Sequence, residues 1–328
     1  HAILCGLRHP DSGGITMSAI IQRFEPGTLR AKVQARTVDA LESGAIHTIP
    51  TDFEFVEQGG VNFLIRIVSN LARKVQAKAA EQKSHLAPNM NDNPFLPYDE
   101  DLFVADISDT HVCLLNKFNV LDHHMLMVTR SFQEQESLLT VSDFEALLMC
   151  LAEFEGLAFY NAGEAAGASQ RHKHLQMVPL PLMPEVSQIP IEPLLNTARF
   201  EGVMGFVPDL HFLHMFARMD PEWIASPSKG AQELLKQYLD MLQTVGLSGG
   251  GAKGKTVRIG PYNLLVTRKW MFLVPRSTEC FAGISVNALG FAGGFLVKDE
   301  QQLNLLKTCG PMTVLQRVAI CEGNAPTM

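Results

Sequence analysis

The stretch Asn161-Ala-Gly163-Glu-Ala-Ala-Gly167-Ala168-Ser169-Gln170-Arg171-His172-Lys173-His174-Leu175-Gln176 decides how this chain is read. Its last third predicts a strand over 172–178, and successive side chains of a strand alternate between its two faces. His172, His174 and Gln176 then share one face, while Lys173 and Leu175 take the other. Three polar groups in a row on one face need a reason. A solvated face is the plainest, and a metal site built on His-x-His is the next. The small-residue loop just upstream shifts the balance. Gly, Ala and Ser let backbone amides approach phosphoryl oxygens beside a neutral imidazole, so a nucleophile and its anion cradle would be neighbours in the chain.

Working outward, a strand is predicted over 157–160. Before it, Phe144, Leu147, Leu148, Leu151 and Phe154 recur at helical spacing up to Gly156, and Ser142-Asp-Phe-Glu145 has the form of a capping box. Apolar runs over 111–116 and 124–129, separated by a short polar bend, predict an antiparallel pair. Nearer the start, a helix is predicted over 27–43, with a stripe of Leu29, Val33, Val38 and Leu41 and with Gly44 as its C-cap. A hairpin follows, its strands over 53–56 and 61–67 joined through Gln58-Gly59-Gly60. Residues 69–101, first basic and then rich in Pro and Asn, predict a long surface excursion. Past the Pro-rich run at 179–193 the pattern is hard to read until a helix over 230–245. A Gly-rich loop over 246–254, strands over 263–267 and 270–274, and helical segments from 299 complete the chain. These elements predict an α/β (α+β) fold: a largely antiparallel sheet with helices packed on one side.

The 328 residues are 46% hydrophobic and 19% charged, enough apolar material for a large core, which excludes a disordered chain. Twenty-seven Lys and Arg stand against 34 Asp and Glu, a formal charge of −7, so there is no global positive field for a nucleic acid. A small anionic substrate remains open, because a few local cations can serve it. The longest apolar run, 284–297, is interrupted by Asn287, Gly290, Gly293 and Gly294 and does not make a membrane span. The six Cys form no C-x-x-C pair, which argues against a zinc ribbon or a redox dithiol and fits a reducing, cytoplasmic setting. The first residues show neither an amphipathic pattern nor a signal-peptide layout, so 1–20 read as an upstream remnant.

Two other patterns are set aside. Gly249 to Thr256 satisfies the phosphate-loop expression G-x-x-x-x-G-K-[ST], but that mechanism needs a strand before the loop and a helix after it. Here a helical pattern precedes and a β-like run containing Pro261 follows, so the segment reads as a flexible linker. His123 and His124, adjacent on a strand, face opposite sides and cannot share a metal; the pair reads as structural.

Asn161, Gly167-Ala-Ser-Gln170 and His172-x-His174-x-Gln176 resemble the active-site strand of the histidine-triad superfamily in its nucleotidyltransferase branch, and most of all that of the ATP adenylyltransferases, or diadenosine tetraphosphate phosphorylases. Leu114 to Phe118, Met125 to Thr129, Tyr262 to Thr267, Ile284 to Gly293 and Lys298 extend the resemblance over about 25–320. It implies that phosphate cleaves diadenosine tetraphosphate to ATP and ADP through an adenylylated histidine. By resemblance His174 is the nucleophile, His172 its supporting neighbour and Gln176 a contact to the transferring phosphoryl group. Asn161, Gly167, Ala168, Ser169 and Gln170 would cradle phosphates. Lys74 (or the adjacent Arg73), Asn116, Lys117, Asn287, Ala288, Leu289, Gly294 and Lys298 would touch substrate, Gly294 through its backbone or shape alone, since a larger residue is expected there.

The same resemblance implies no protein-held metal, with Mg2+ or another divalent cation entering as counter-ion of the substrate. A monomer is expected, with 21–190 as the catalytic region and 191–328 completing the same nucleotide pocket. Gln176 cannot act as a general acid, but ATP is a stable leaving anion, so transfer to phosphate is favoured over hydrolysis. A galactose-1-phosphate uridylyltransferase-type enzyme shares the H-x-H-x-Q strand, but usually has Pro where this chain has Lys173, and often a metal-binding Cys set. A dinucleoside polyphosphate hydrolase and a non-catalytic nucleotide sensor are the remaining alternatives.

Overall fold

Gly44, with a left-handed φ of 77°, ends the first helix, α1 (Leu29–Ser43), at the predicted place, its N–H capping the Leu41 carbonyl. The inward face differs from the predicted stripe. Leu29, Val33, Thr37 and Ala40 are buried, whereas Val38 and Leu41 are 55% and 50% exposed. Thr37 can face inward because its hydroxyl donates to the Val33 carbonyl at 2.7 Å, which removes the cost of burying it. The computed structural model describes residues 23–69, 93–184, 189–247 and 259–321. The predicted remnant at 1–20, Arg73 and Lys74 with most of the 69–101 excursion, and the Gly249 to Thr256 run lie outside the described residues.

The hairpin forms as predicted. Strands β1 (Thr51–Gln58) and β2 (Val61–Val68) pair antiparallel around Gly59 and Gly60, both at positive φ, as the tightest hairpin turn requires. Next come β3 (Phe103–Asp106), then the predicted pair β4 (His111–Leu115) and β5 (Met125–Thr129). Helix α2 (Val141–Glu153) begins two residues before the predicted capping box: Thr140 is the N-cap and Asp143 closes a reciprocal box with it. Strand β6 (Gly156–Ala162) leads into the glycine-rich loop, and β7 (His174–Pro179) leaves it. β7 is shorter than predicted, since His172 stands just ahead of it in an isolated bridge to Glu134.

The second half adds α3 (Glu192–Leu195), β8 (Arg199–Glu201), β9 (Met204–Phe206), β10 (Met215–Arg218), α4 (Pro221–Ala225) and α5 (Pro227–Thr244). Then follow β11 (Tyr262–Val266), β12 (Trp270–Pro275), β13 (Cys280–Phe281), β14 (Ile284–Ser285), α6 (Ala288–Phe291), β15 (Gly294–Val297), α7 (Glu300–Cys309) and α8 (Pro311–Val318). The main sheet has ten strands in the order β3-β4-β5-β7-β6-β11-β12-β10-β9-β8, every neighbouring pair antiparallel. The β6–β11 pairing carries it from the first half of the chain into the second.

Helices are not confined to one side of this sheet, contrary to expectation. One face packs against α1, α2 and α5 in a core that includes Val33, Phe144, Leu147, Tyr238 and Met241. The other face meets α3, α6, α7 and α8 together with a small sheet in which β15 runs parallel to β2. That second layer cannot be built from either half alone, because β2 and β15 come from opposite ends of the chain.

Candidate active site

A cavity of about 840 Å³ opens on the second face of the main sheet. Its floor is formed by Asn116, His124, Leu126, Asn161, His174 and Gln176, and its walls include Leu64, Arg66, Phe95, Lys117, Asn287, Leu289, Gly294 and Lys298. Strand alternation explains the floor: Leu126 pairs with Gln176 and Val128 with His174, while Met127, Leu175 and Met177 enter the opposite core.

His174 is buried and donates its Nδ1–H to the carbonyl of His172 at 2.8 Å. Its Nε2 has no protein partner among the described residues and belongs to the cavity. Burial lowers its pKa from 6.5 to about 4, outweighing the pull of the His172 carbonyl in the other direction, with the His172 ring adding to the decrease. The imidazole is neutral at pH 7, with a fixed tautomer and a free lone pair. His214 supplies the contrast: it makes the same bond to the carbonyl two residues back, at 2.7 Å, but its Nε2 accepts from the Val207 N–H at 2.9 Å.

The His172 side chain is not part of the cavity wall; its carbonyl is what holds His174. The His172 ring donates Nε2–H to the Thr129 carbonyl at 2.7 Å, accepts at Nδ1 from Asn93 at 3.0 Å, and lies edge-on to Phe95 and Phe132. Burial lowers its pKa against the opposing backbone bonds of Thr129 and Ser131. On the other face Lys173 is fully buried, donating to the Leu138 carbonyl at 2.8 Å and to Asp143 at 3.1 Å. Asp143 also accepts from His111 Nε2 at 3.0 Å. Burial raises the Asp143 pKa, but the His111 hydrogen bond and the Lys173 ammonium outweigh it and leave the carboxyl below its usual value.

Gly167 is fitted to its place twice over. Its φ is 87°, and a Cβ there would come within 2.8 Å of the Asn287 Cβ and 3.0 Å of the Val286 carbonyl. The predicted cradle is smaller than the loop. The Gly167 N–H donates to Glu164 at 2.8 Å and the Ala168 N–H to Gly163 at 3.1 Å, so both amides are used within the loop. Ala168 does not line the cavity, whereas Ser169 and Gln170 do. Ala288 is also absent from the wall; its N–H donates to Asn161 Oδ1 at 3.0 Å. Asn161 Oδ1 accepts in addition from Asn263 at 2.8 Å, whose own Oδ1 accepts from Arg276 at 2.5 Å. Because a backbone amide and a guanidinium can only donate, the whole chain of amides has one orientation, and the Asn161 NH2 is left for the cavity. Burial lowers the Arg276 pKa to about 10, opposed by Glu279.

Lys117 and Lys298 both line the cavity, Lys117 with Asp99 at 3.4 Å. Gly294 starts β15 beside Leu64, so its contribution is backbone. Reading the sequence missed Asn263, Arg276, Arg66, Phe95 and Gln135, the last of which accepts from the His174 N–H at 2.8 Å and donates to the Asn161 carbonyl at 2.9 Å. It also misjudged His124, which is on the floor of the site. The alternation of His124, Leu126 and Val128 with Met125 and Met127 was the signal that would have placed it.

Residues 20–197 match the family model of the Ap4A phosphorylase N-terminal domain, and residues 208–321 that of the ATP adenylyltransferase C-terminal domain. A curated relative from Saccharomyces cerevisiae, diadenosine 5',5'''-P1,P4-tetraphosphate phosphorylase 2, is 27% identical over 307 residues, covering 85% of this chain and 90% of that protein. Protein APA1 of the same yeast is 31% identical over 204 residues, 57% of this chain and 61% of that protein. The crystal structure of yeast Ap4A phosphorylase Apa2 superposes with a TM-score of 0.72 at 24% identity, covering 92% of this chain and 98% of that one. The same yeast enzyme in complex with Ap4A gives 0.68 at 23% identity, covering 90% and 98%. These superpositions establish the fold, and the two family matches, end to end along the chain, establish that it belongs to the Ap4A phosphorylase and ATP adenylyltransferase family of nucleotidyltransferases.

Proposed function

We propose that the enzyme uses inorganic phosphate to cleave diadenosine tetraphosphate (Ap4A) into ATP and ADP, reversibly, through an adenylyl group on His174. The observation that carries this reading is the neutral His174 ring, with Nδ1–H held by a carbonyl and Nε2 open to the cavity. The Nε2 lone pair forms the bond to the α-phosphorus while the bond to the bridging oxygen breaks and ATP leaves with its electron pair. The positive charge that develops on the ring is stabilised through Nδ1–H by the His172 carbonyl. Phosphate then attacks the same phosphorus from the side ATP vacated, releasing ADP and restoring His174. Two inversions give net retention at phosphorus.

The Asn161 amide, Ser169, Gln170 and Gln176 supply donors for the phosphoryl oxygens, and Lys117 and Lys298 supply charge. With Gln at 176, no side chain at that place can strip a proton from water, which favours phosphate over hydrolysis. Mg2+ or another divalent cation accompanies the polyphosphate as its counter-ion. Ap4A, ATP, ADP and phosphate are the partners, and the chain works as a monomer without nucleic acid. Among the described residues no helix is long and apolar enough to cross a membrane. The free cysteines Cys113, Cys150, Cys280, Cys309 and Cys321 suit the cytoplasm. The test is a product assay: ATP and ADP should accumulate in equal amounts only when phosphate is present. ATP with AMP in phosphate-free buffer would identify a hydrolase instead.

A further inference from the structure

Gln176 must present its NH2 group, not its carbonyl, to a polyphosphate, and a terminal amide rotates freely between the two unless something holds it. The cavity rim supplies that hold. The Phe118 backbone N–H, which can only donate, binds Asn116 Oδ1 at 3.3 Å. The Asn116 NH2 therefore faces His124 and donates to its Nδ1 at 3.1 Å. A neutral imidazole that accepts at Nδ1 carries its proton at Nε2, and the His124 Nε2 lies 3.0 Å from Gln176 Oε1. The Gln176 carbonyl is thus occupied as an acceptor, and both amide hydrogens are left for the cavity.

We infer that His124 is a positioning residue for phosphoryl transfer: the relay from Phe118 N–H through Asn116 and His124 locks the Gln176 amide with its donors toward the substrate. This role rests on the reaction proposed above and assigns a specific duty to a residue that touches Gln176 rather than the reacting atoms. It also changes the part of Asn116, whose amide group serves the relay although the residue lines the cavity. The ring is buried, and its burial lowers the pKa to about 4 against the opposing bond to Gln176, with His174 adding to the decrease, so the neutral form that the relay needs persists at pH 7. Phe159 lies against the ring with centroids 5.8 Å apart.

Single-turnover adenylylation of the full chain by Ap4A, without phosphate, tests the relay. Removing one aligned donor at a site of developing negative charge costs on the order of 10²–10³ in rate, which sets the expectation for Gln176→Leu. His124→Leu, which frees the amide without deleting it, should lose at least about tenfold in the maximal rate with little change in KM. His124→Gln, which puts an N–H near the position of Nε2, should recover most of that loss. His124→Leu added to Gln176→Leu should cost nothing further, because His124 acts through Gln176. A His124→Leu enzyme as fast as the wild type, or a loss that persists in the Gln176→Leu background, overturns the relay. Should His124→Leu not fold, 15N NMR of the wild-type histidines decides: the Nε2–H tautomer at His124 supports the relay and the Nδ1–H tautomer overturns it. A wild-type enzyme that makes no ATP from Ap4A would defeat the proposed reaction, and the NMR result would still report on the relay separately.

Discussion

His174 and His214 are both buried, and both donate Nδ1–H to the carbonyl two residues earlier. The difference is at Nε2, which a backbone N–H occupies in His214 and which the cavity receives in His174. One pairing thus separates His214 from His174, the nucleophile of the proposed reaction, in the same protein. Because burial holds His174 near a pKa of about 4, the ring is already deprotonated throughout the neutral range. Adenylylation in single-turnover experiments should therefore be flat from about pH 6 to 8 and decline only as pH falls toward the lowered value. A decline centred on 6.5, the ordinary imidazole value, would show that the ring is not desolvated as described. At this scale the strand alternation of His174 and Gln176 was legible, because it needs only a period of two. His123 and His124 were read as structural on the premise that both lie on a strand, but β5 begins only at Met125, and a rule about sharing a metal says nothing of what each ring does alone. His123 indeed turns away, at φ 57°, to Thr37, while His124 turns to Gln176. His172 was read as the supporting neighbour of His174 without an atom being assigned; the contact is made by its carbonyl, and no residue type announces a carbonyl's direction.

The strand that carries His174, β7, is anchored from behind. Lys173 enters the opposite face and meets Asp143 at the start of α2, with His111 of β4 as the third member. The Asp143 side chain also closes the capping box of α2 through the Thr140 N–H at 2.6 Å, so one carboxylate ties α2, β7 and β4 together. A buried ion pair broken on one side leaves the other charge unpaired, so Lys173→Met should lower unfolding stability by about 3–5 kcal/mol. Adding Asp143→Leu should restore part of that loss, because the uncompensated charge is removed. Urea titrations of both variants check this, and a single-variant loss under about 1 kcal/mol would contradict a fully desolvated pair. The convergence of Lys173, His111 and Thr140 on Asp143 also explains the two-residue error at the start of α2. Thr140-x-x-Asp143 and Ser142-x-x-Glu145 are equally good local signals, and the choice between them is made by long-range partners. The inward face of α1 was misplaced for a related reason, since Thr37 looks polar in sequence and is satisfied by its own helix.

Across the whole molecule, the formal charge of −7 excludes a polyanion track on the surface but not a lined cavity that holds one dinucleotide. The cavity needs both halves of the chain. Asn161 and Gly167 come from the first and Asn287, Lys298 and the Arg276–Asn263 anchor from the second, while the β2–β15 pairing that closes the wall was not legible, since no local pattern encodes a parallel pairing of distant strands. Desolvated histidines also give the molecule a characteristic acid response. His124 and His174 bind protons below 6.5 in the unfolded chain but only near 4 in the native one, so the unfolded state holds more protons in that window. Stability should therefore fall as pH drops from 6.5 toward 4, by about 3 kcal/mol for each ring. Urea midpoints measured across this range, with His174→Asn removing about half of the slope, check it. A midpoint independent of pH there would contradict the burial of both rings.

The central claim is the covalent step at His174, and it is measured most directly by mixing the enzyme with Ap4A in phosphate-free buffer, quenching at alkaline pH and mapping the product by peptide mass spectrometry. An acid-labile adenylyl group on His174, formed with one equivalent of ATP and discharged as ADP when phosphate is added, is the predicted result. Turnover of Ap4A to ATP and ADP by an enzyme that never carries the adduct, or by His174→Ala at the wild-type rate, would contradict it.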